Sequence, residues 1–184
     1  MILNSKLGWI LMVGLTLSLT NCKDSGNELK PDDENELITS VTLKFTEKAT
    51  NTVSSFSYKD ADGDGGNAPS KFDSVTLKAN TSYTLAIELL DESKSPVNDI
   101  TKEVAEESDE HLFIYTPSPA SLLTYTYDDK DKNGIKIGLT GTIQTGAAGI
   151  GKLKVQLRHQ PGVKDGSNAP GSDDVGLDFN LKIK

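Results

Sequence analysis

Val41-Thr42-Leu43-Lys44-Phe45-Thr46 alternates apolar and polar residues without a break. A β-strand turns successive side chains to opposite faces, so this run is a strand with one face in a core and the other in water. The same period recurs at 52–58, 72–77, 83–89, 111–115, 122–127, 135–143, 153–159 and 175–183. Between these runs lie GDGGNAP, the Asn80-Thr81 pair, Asp131-Lys132-Asn133-Gly134, TGAAGIG and GSNAPGS. Their residues tolerate positive φ or bond their own backbone, which is turn chemistry. Eight or nine short strands punctuated in this way predict an all-β chain: a single immunoglobulin-like antiparallel β-sandwich over residues 37–184.

One segment has a different period. In NDITKEVAEESDE, residues 98–110, Ile100, Val104 and Glu107 share a helical face, Asp99 stands where an N-cap belongs, and Pro96 lies just outside. Two apolar anchors among six acids predict a short surface helix that crosses between strands. An irregular loop is the alternative.

The N-terminal stretch is an address. Lys6 precedes an apolar run from Leu7 to Leu19, about 13 residues, too short to span a bilayer and suited to a secretory signal. It ends in Leu19-Thr20-Asn21-Cys22, and Cys22 is the single cysteine. A cysteine at that point reads as a bacterial lipobox whose thiol is acylated, so residues 1–21 are a signal peptide and Cys22 carries the lipid. Several acyl chains on one residue anchor stably where one chain does not. Asn21 departs from the small residue usual at that position, and an ordinary signal peptide with a chance cysteine is the other reading. Residues 23–36, KDSGNELKPDDENE, hold six acids and almost nothing apolar, so 22–36 form an acylated, solvated tether.

The chain holds 19 Lys and Arg against 27 Asp and Glu, a formal charge of −8 that becomes −9 once residues 1–21 leave. That acidity argues against a nucleic-acid partner and against adhesion to anionic lipid through a basic patch. A lipidated Cys22 leaves no thiol for a disulfide, metal or redox site. No G-x-S-x-G, H-E-x-x-H or phosphate-cradling glycine loop occurs, so no enzyme is expected.

Two kinds of residue could hold a ligand. Asp60, Asp62 and Asp64 run into Gly65, and Asp129, Asp131 and Asn133 into Gly134, the opening of an oxygen-ligand calcium loop. The closing bidentate carboxylate is missing, since Lys71 and Thr140 stand there. The same residues form plain hairpin turns, the commoner reading, with a weak calcium site completed by another loop as the other. His111 and His159 are the only histidines. His159 keeps the inward parity of Leu153, Val155 and Leu157, and His111 that of Phe113 and Tyr115. If their strands adjoin, the two imidazoles and a carboxylate such as Asp109 could ligate zinc or copper. Otherwise they are two unrelated histidines satisfied by backbone.

Several stretches carry a family resemblance: DADGDGGNAP at 60–69, ELLDESKSPVNDIT at 88–101, SDEHLFIYTP at 108–117, TGAAGIGKLKVQLRHQP at 145–161 and the VGLDFNLKIK ending. Together they resemble a family of small Bacteroidota lipoproteins labelled "type 1 periplasmic binding fold", over most of 37–184. The label implies a two-lobed α/β binding protein, larger than this chain, whereas the periodicity here is that of a sandwich. Lys23-Asp24 and the acids after it are similar to the signal that exports such lipoproteins to the cell face. The resemblance implies an outer-membrane, lipid-anchored protein at the cell surface, with a periplasm-facing anchor as the alternative.

Two functions follow as expectations. The first is a monomeric, non-catalytic binding module, an accessory to an outer-membrane receptor in uptake of a metal ion or small nutrient. The second is a structural or adhesive sandwich, stiffened by calcium, with a protein or glycan partner.

Overall fold

Strand β1 (Ser40–Glu47) lies inside a sheet because both of its edges find antiparallel partners, β2 (Val53–Lys59) on one side and β5 (Ser82–Leu90) on the other. The computed structural model describes residues 37–62 and 66–184; Cys22, the acidic tether and Asp64 fall outside them. The first sheet has six strands in the order β3 (Lys71–Phe72), β2, β1, β5, β8 (Thr140–Thr145) and β7 (Leu123–Tyr127). The second has four, ordered β4 (Val75–Leu77), β10 (Ser172–Ile183), β9 (Gly149–His159) and β6 (His111–Ser118). All pairings are antiparallel except β4 on β10.

The two inner faces share one core. Val41, Leu43, Phe45, Leu85 and Leu89 from the first sheet join Val75, Phe113, Val155, Leu157 and Phe179 from the second, all essentially fully buried. The rings of Phe56 and Tyr83 pack edge-on to Phe45, at centroid distances of 5.9 and 6.2 Å. Each large apolar side chain buried in this way stabilises the fold by about 1.5–3 kcal/mol. The all-β sandwich with one short helix is therefore what the alternation builds.

Three details differ from the sequence reading. There are ten strands among the described residues, not eight or nine, because the run at 72–77 is two strands in different sheets. Asp73 ends the first: its backbone N–H donates to Ser57 O, while its carboxylate accepts from Ser57 N. The chain then crosses, and Val75 opens β4 beside Leu181. Second, the run at 135–143 forms a strand only from Thr140 onward. Third, helix α1 (Ile100–Glu106) is shorter than 98–110, and Asp99 does not cap it through its side chain; the carboxylate pairs with Lys102 Nζ at 2.9 Å instead.

Helix α1 connects β5 in one sheet to β6 in the other. Ile100 and Val104 bury its inner face, and the Thr101 hydroxyl both donates to Leu89 O and accepts from Leu89 N. The segment from Ile137 to Leu139 ties the sheets together. Phe113 N on β6 donates to Ile137 O at 2.7 Å, and Ile87 N on β5 donates to Leu139 O at 3.1 Å. The Tyr115 hydroxyl donates to Gly138 O, Tyr125 to Thr140 O and Tyr127 to Phe113 O. Among the described residues, no helix is long and apolar enough to cross a membrane.

Candidate functional site

The antiparallel register of β6 and β9 sets His111 directly opposite His159. Both side chains point to the inner face, following the parity of Phe113 and Leu157, and both are at least 95% buried. The rings stack, with centroids 4.8 Å apart and planes 6° from parallel. The turn after α1 fixes one of them: His111 Nδ1 lies 3.1 Å from Glu107 O. A carbonyl only accepts, so Nδ1 carries the proton and Nε2 keeps its lone pair when the ring is neutral. The same turn fastens the end of β9, where Gln160 N donates to Glu110 O.

A third group comes from β10. Ser172 pairs with His159 and Asp173 with Arg158, but the next matched residue is Val175, opposite Leu157. Asp174 is the extra residue of a β-bulge, a device that re-aims a side chain where regular pairing would not. Asp173 forms an ion pair with Arg158 at 2.7 Å, and Asp174 turns toward the histidines. Its Oδ2 lies 3.8 Å from His111 Nε2, with both side chains about 5% exposed. Gly171 leads into this bulge with φ of 80°, and a Cβ there would fall 1.8 Å from His159 O. Only glycine lets β10 approach so closely.

Ligand-capable atoms of His111, His159 and Asp174 lie within 4.8 Å of one another. Two polar atoms here are buried without a hydrogen-bond partner among the described residues: His159 Nε2 and Asp174 Oδ1. Such atoms ordinarily cost about 1–3 kcal/mol each. Glu110 stands at the rim, its Oε2 3.8 Å from His159 Nε2. Burial pushes the Asp174 carboxyl up to about 6; the His159 charge opposes this, Asp173 reinforces it, and Arg158 opposes it again. Burial lowers the pKa of His111, against the pull of Glu107 O and with help from His159 and Lys164. A neutral His111 is therefore favoured at pH 7, as a ligand imidazole must be.

Inward parity brings the two histidines together, but Asp109 does not join them. It pairs with Lys132 Nζ at 2.8 Å, and Asp174 stands in its place. Sequence reasoning missed Asp174 because a bulge changes which face a residue takes. Its one trace is the Asp173-Asp174 doublet just before the regular alternation of β10.

The aspartate loops use their own oxygens. Asp129 accepts from Gly138 N and Thr140 N, one on each carboxylate oxygen. Asp131 Oδ1 accepts from Asn133 N and Ile135 N, and its Oδ2 pairs with Lys164 Nζ at 2.9 Å, where both side chains are almost fully buried. Asp60 accepts from the Tyr58 hydroxyl, and Asp62 from the backbone and side-chain nitrogens of Asn67. The contact with Asn67 N holds the Asp62 carboxyl below the usual range. These are turn bonds. A cation on Asp131 would have to displace the Lys164 ammonium.

Compared with known protein families, curated proteins and solved structures, the chain matches none.

Proposed function

We propose that this chain is a lipid-anchored, non-catalytic binding module of the outer membrane, displayed at the cell surface on the tether 22–36. It serves as an accessory in uptake of a metal ion or another small nutrient. The observation that carries the reading is the polar end of the sandwich. Two imidazoles and a carboxylate are buried together, and His159 Nε2 and Asp174 Oδ1 are left unpaired. A sandwich needs no such group for its core, and apolar residues there would be more stable. The arrangement is useful when something else supplies the missing partner.

No nucleophile is paired with a base at this end, so binding is the chemistry it supports. A thermal-shift screen of the purified chain, prepared with chelator and then dialysed, tests the reading. The panel holds divalent metals, their small chelates, and common sugars and amino acids. We expect at least one ligand to raise the melting temperature of the wild type and not of His159→Gln. A panel that moves neither protein, or moves both equally, would remove the binding site from this end.

A further inference from the structure

Resting on that reading, we propose that His111, His159 and Asp174 bind one divalent transition-metal ion, zinc or copper, with Glu110 as the fourth ligand. The donor set selects the class. Two imidazole nitrogens with carboxylate oxygens suit zinc and copper, whereas calcium and magnesium take oxygen alone. An anionic ligand would meet two carboxylates. Charge also balances: two neutral imidazoles and two carboxylates bring −2 to a +2 ion, which leaves the buried cluster neutral.

The supporting shell is already in place. Glu107 O holds His111 Nδ1–H, so Nε2 faces the site with its lone pair, the usual orientation of a ligand histidine. Asp174 is set by the bulge and by Asp173 on Arg158. Three of the four residues come from separate strands or their ends, so a bound ion would cross-link β6, β9 and β10 at one point.

The distances show what binding must change. Four donors around zinc, with bonds near 2.0–2.1 Å, stand about 3.4 Å apart. Here two donor pairs are 3.8 Å apart, and the widest separation in the histidine–aspartate group is 4.8 Å. The donors must therefore close by roughly 0.4 to 1.4 Å. The ring planes are nearly parallel and stacked, and an ion sits close to the plane of each imidazole it bonds. One ring must leave the stack for both to reach the same ion. His159 is that ring, because its Nε2 is unpaired while His111 is tied to Glu107 O. The stacked pair is the metal-free arrangement, and metal entry converts it.

The test is isothermal titration of zinc and of copper into the full chain, made without a polyhistidine tag. Two-dimensional NMR of the imidazole nitrogens runs alongside. We expect one ion per chain and a large shift of both Nε2 signals on saturation. His111→Gln and His159→Gln should each lose at least about 100-fold in affinity, Asp174→Asn about 10- to 100-fold and Glu110→Gln about 10-fold. Asp109→Ala, whose carboxylate pairs with Lys132, should bind as wild type does. Because wild-type NMR reads ligation directly, the answer stands even if a histidine variant folds poorly. Unmoved Nε2 signals, or equal affinity in wild type and Asp174→Asn, would overturn the site. If zinc and copper fail while another ligand stabilises wild type and not His159→Gln, the binding reading survives and the metal falls.

Discussion

Asp174→Asn is the most informative substitution in this molecule, because it should make the metal-free protein more stable while weakening its metal binding. Burial raises the Asp174 carboxyl from 3.8 to about 6, so the folded chain prefers the neutral acid. A group whose folded pKa lies above its unfolded value stabilises fully at low pH and loses that contribution as pH rises. Here the loss begins near pH 4 and is complete above about pH 7. For a shift of roughly two units that loss is about 3 kcal/mol at pH 8 and only about 1 kcal/mol at pH 4.5. Asparagine does not titrate, but its amide is left as unpaired as Oδ1 now is, which removes about 1 kcal/mol. The net expectation is a gain of about 2 kcal/mol at pH 8 that shrinks to about zero at pH 4.5. Urea unfolding of both proteins in chelator, at steps of half a pH unit, reads the difference directly. The carboxylates away from this end are common to both proteins and cancel in the difference. An Asn variant less stable than wild type at pH 8, or a difference flat with pH, would show that the folded state welcomes the ionised Asp174.

Cys22→Ala should lose fatty-acid labelling and appear in the soluble secreted fraction; equal labelling of both proteins would refute the anchor. Gly171→Ala should cost about 2 kcal/mol or more in urea unfolding, since positive φ and the approach to His159 O both forbid a Cβ. Lys164→Ala should cost about 3–5 kcal/mol, because it strips the buried Asp131 carboxylate of its cation and Ser108 O of a donor. The Lys164→Ala, Asp131→Asn double variant should recover part of that loss, which a double-mutant cycle would measure.

The strands were legible wherever one face of a sheet meets the core, as in β1 and β9, because the period of two is a direct record of burial. The crossing from β3 to β4 left a fainter trace: Phe72 is out of step with Val75 and Leu77, and the slip falls at Asp73-Ser74, where the chain changes sheet. Residues Ile135, Ile137 and Leu139 keep strand parity into β8, but Ile135 bonds back to Asp131, Ile137 O accepts from β6 and Leu139 O from β5, so parity alone overstated that strand. In the candidate site, the histidine pair was readable because two inward parities meet at one register position. Asp174 was not, since the register shift that aims it depends on how β10 lies against β9. Asp109 is near His111 along the chain, but the α1–β6 turn sends it outward to Lys132.

The sandwich is stitched along both long sides, by the crossing at Asp73-Ser74 with the Phe72 ring against Phe179, and by the segment from Ile137 to Leu139 between β6 and β5. In mechanical terms, neither sheet can slide over the other without breaking a seam, so the layers resist shear. The turn after α1 and the loop 160–171 are tied to one another, by Gln160 N on Glu110 O and Lys164 Nζ on Ser108 O. Amide exchange should be slowest in β1, β5 and β9, and fastest in exposed loops such as 66–70 and 92–97. A pull on the chain before Leu37 would instead enter the first sheet through β1, between its pairings with β2 and β5.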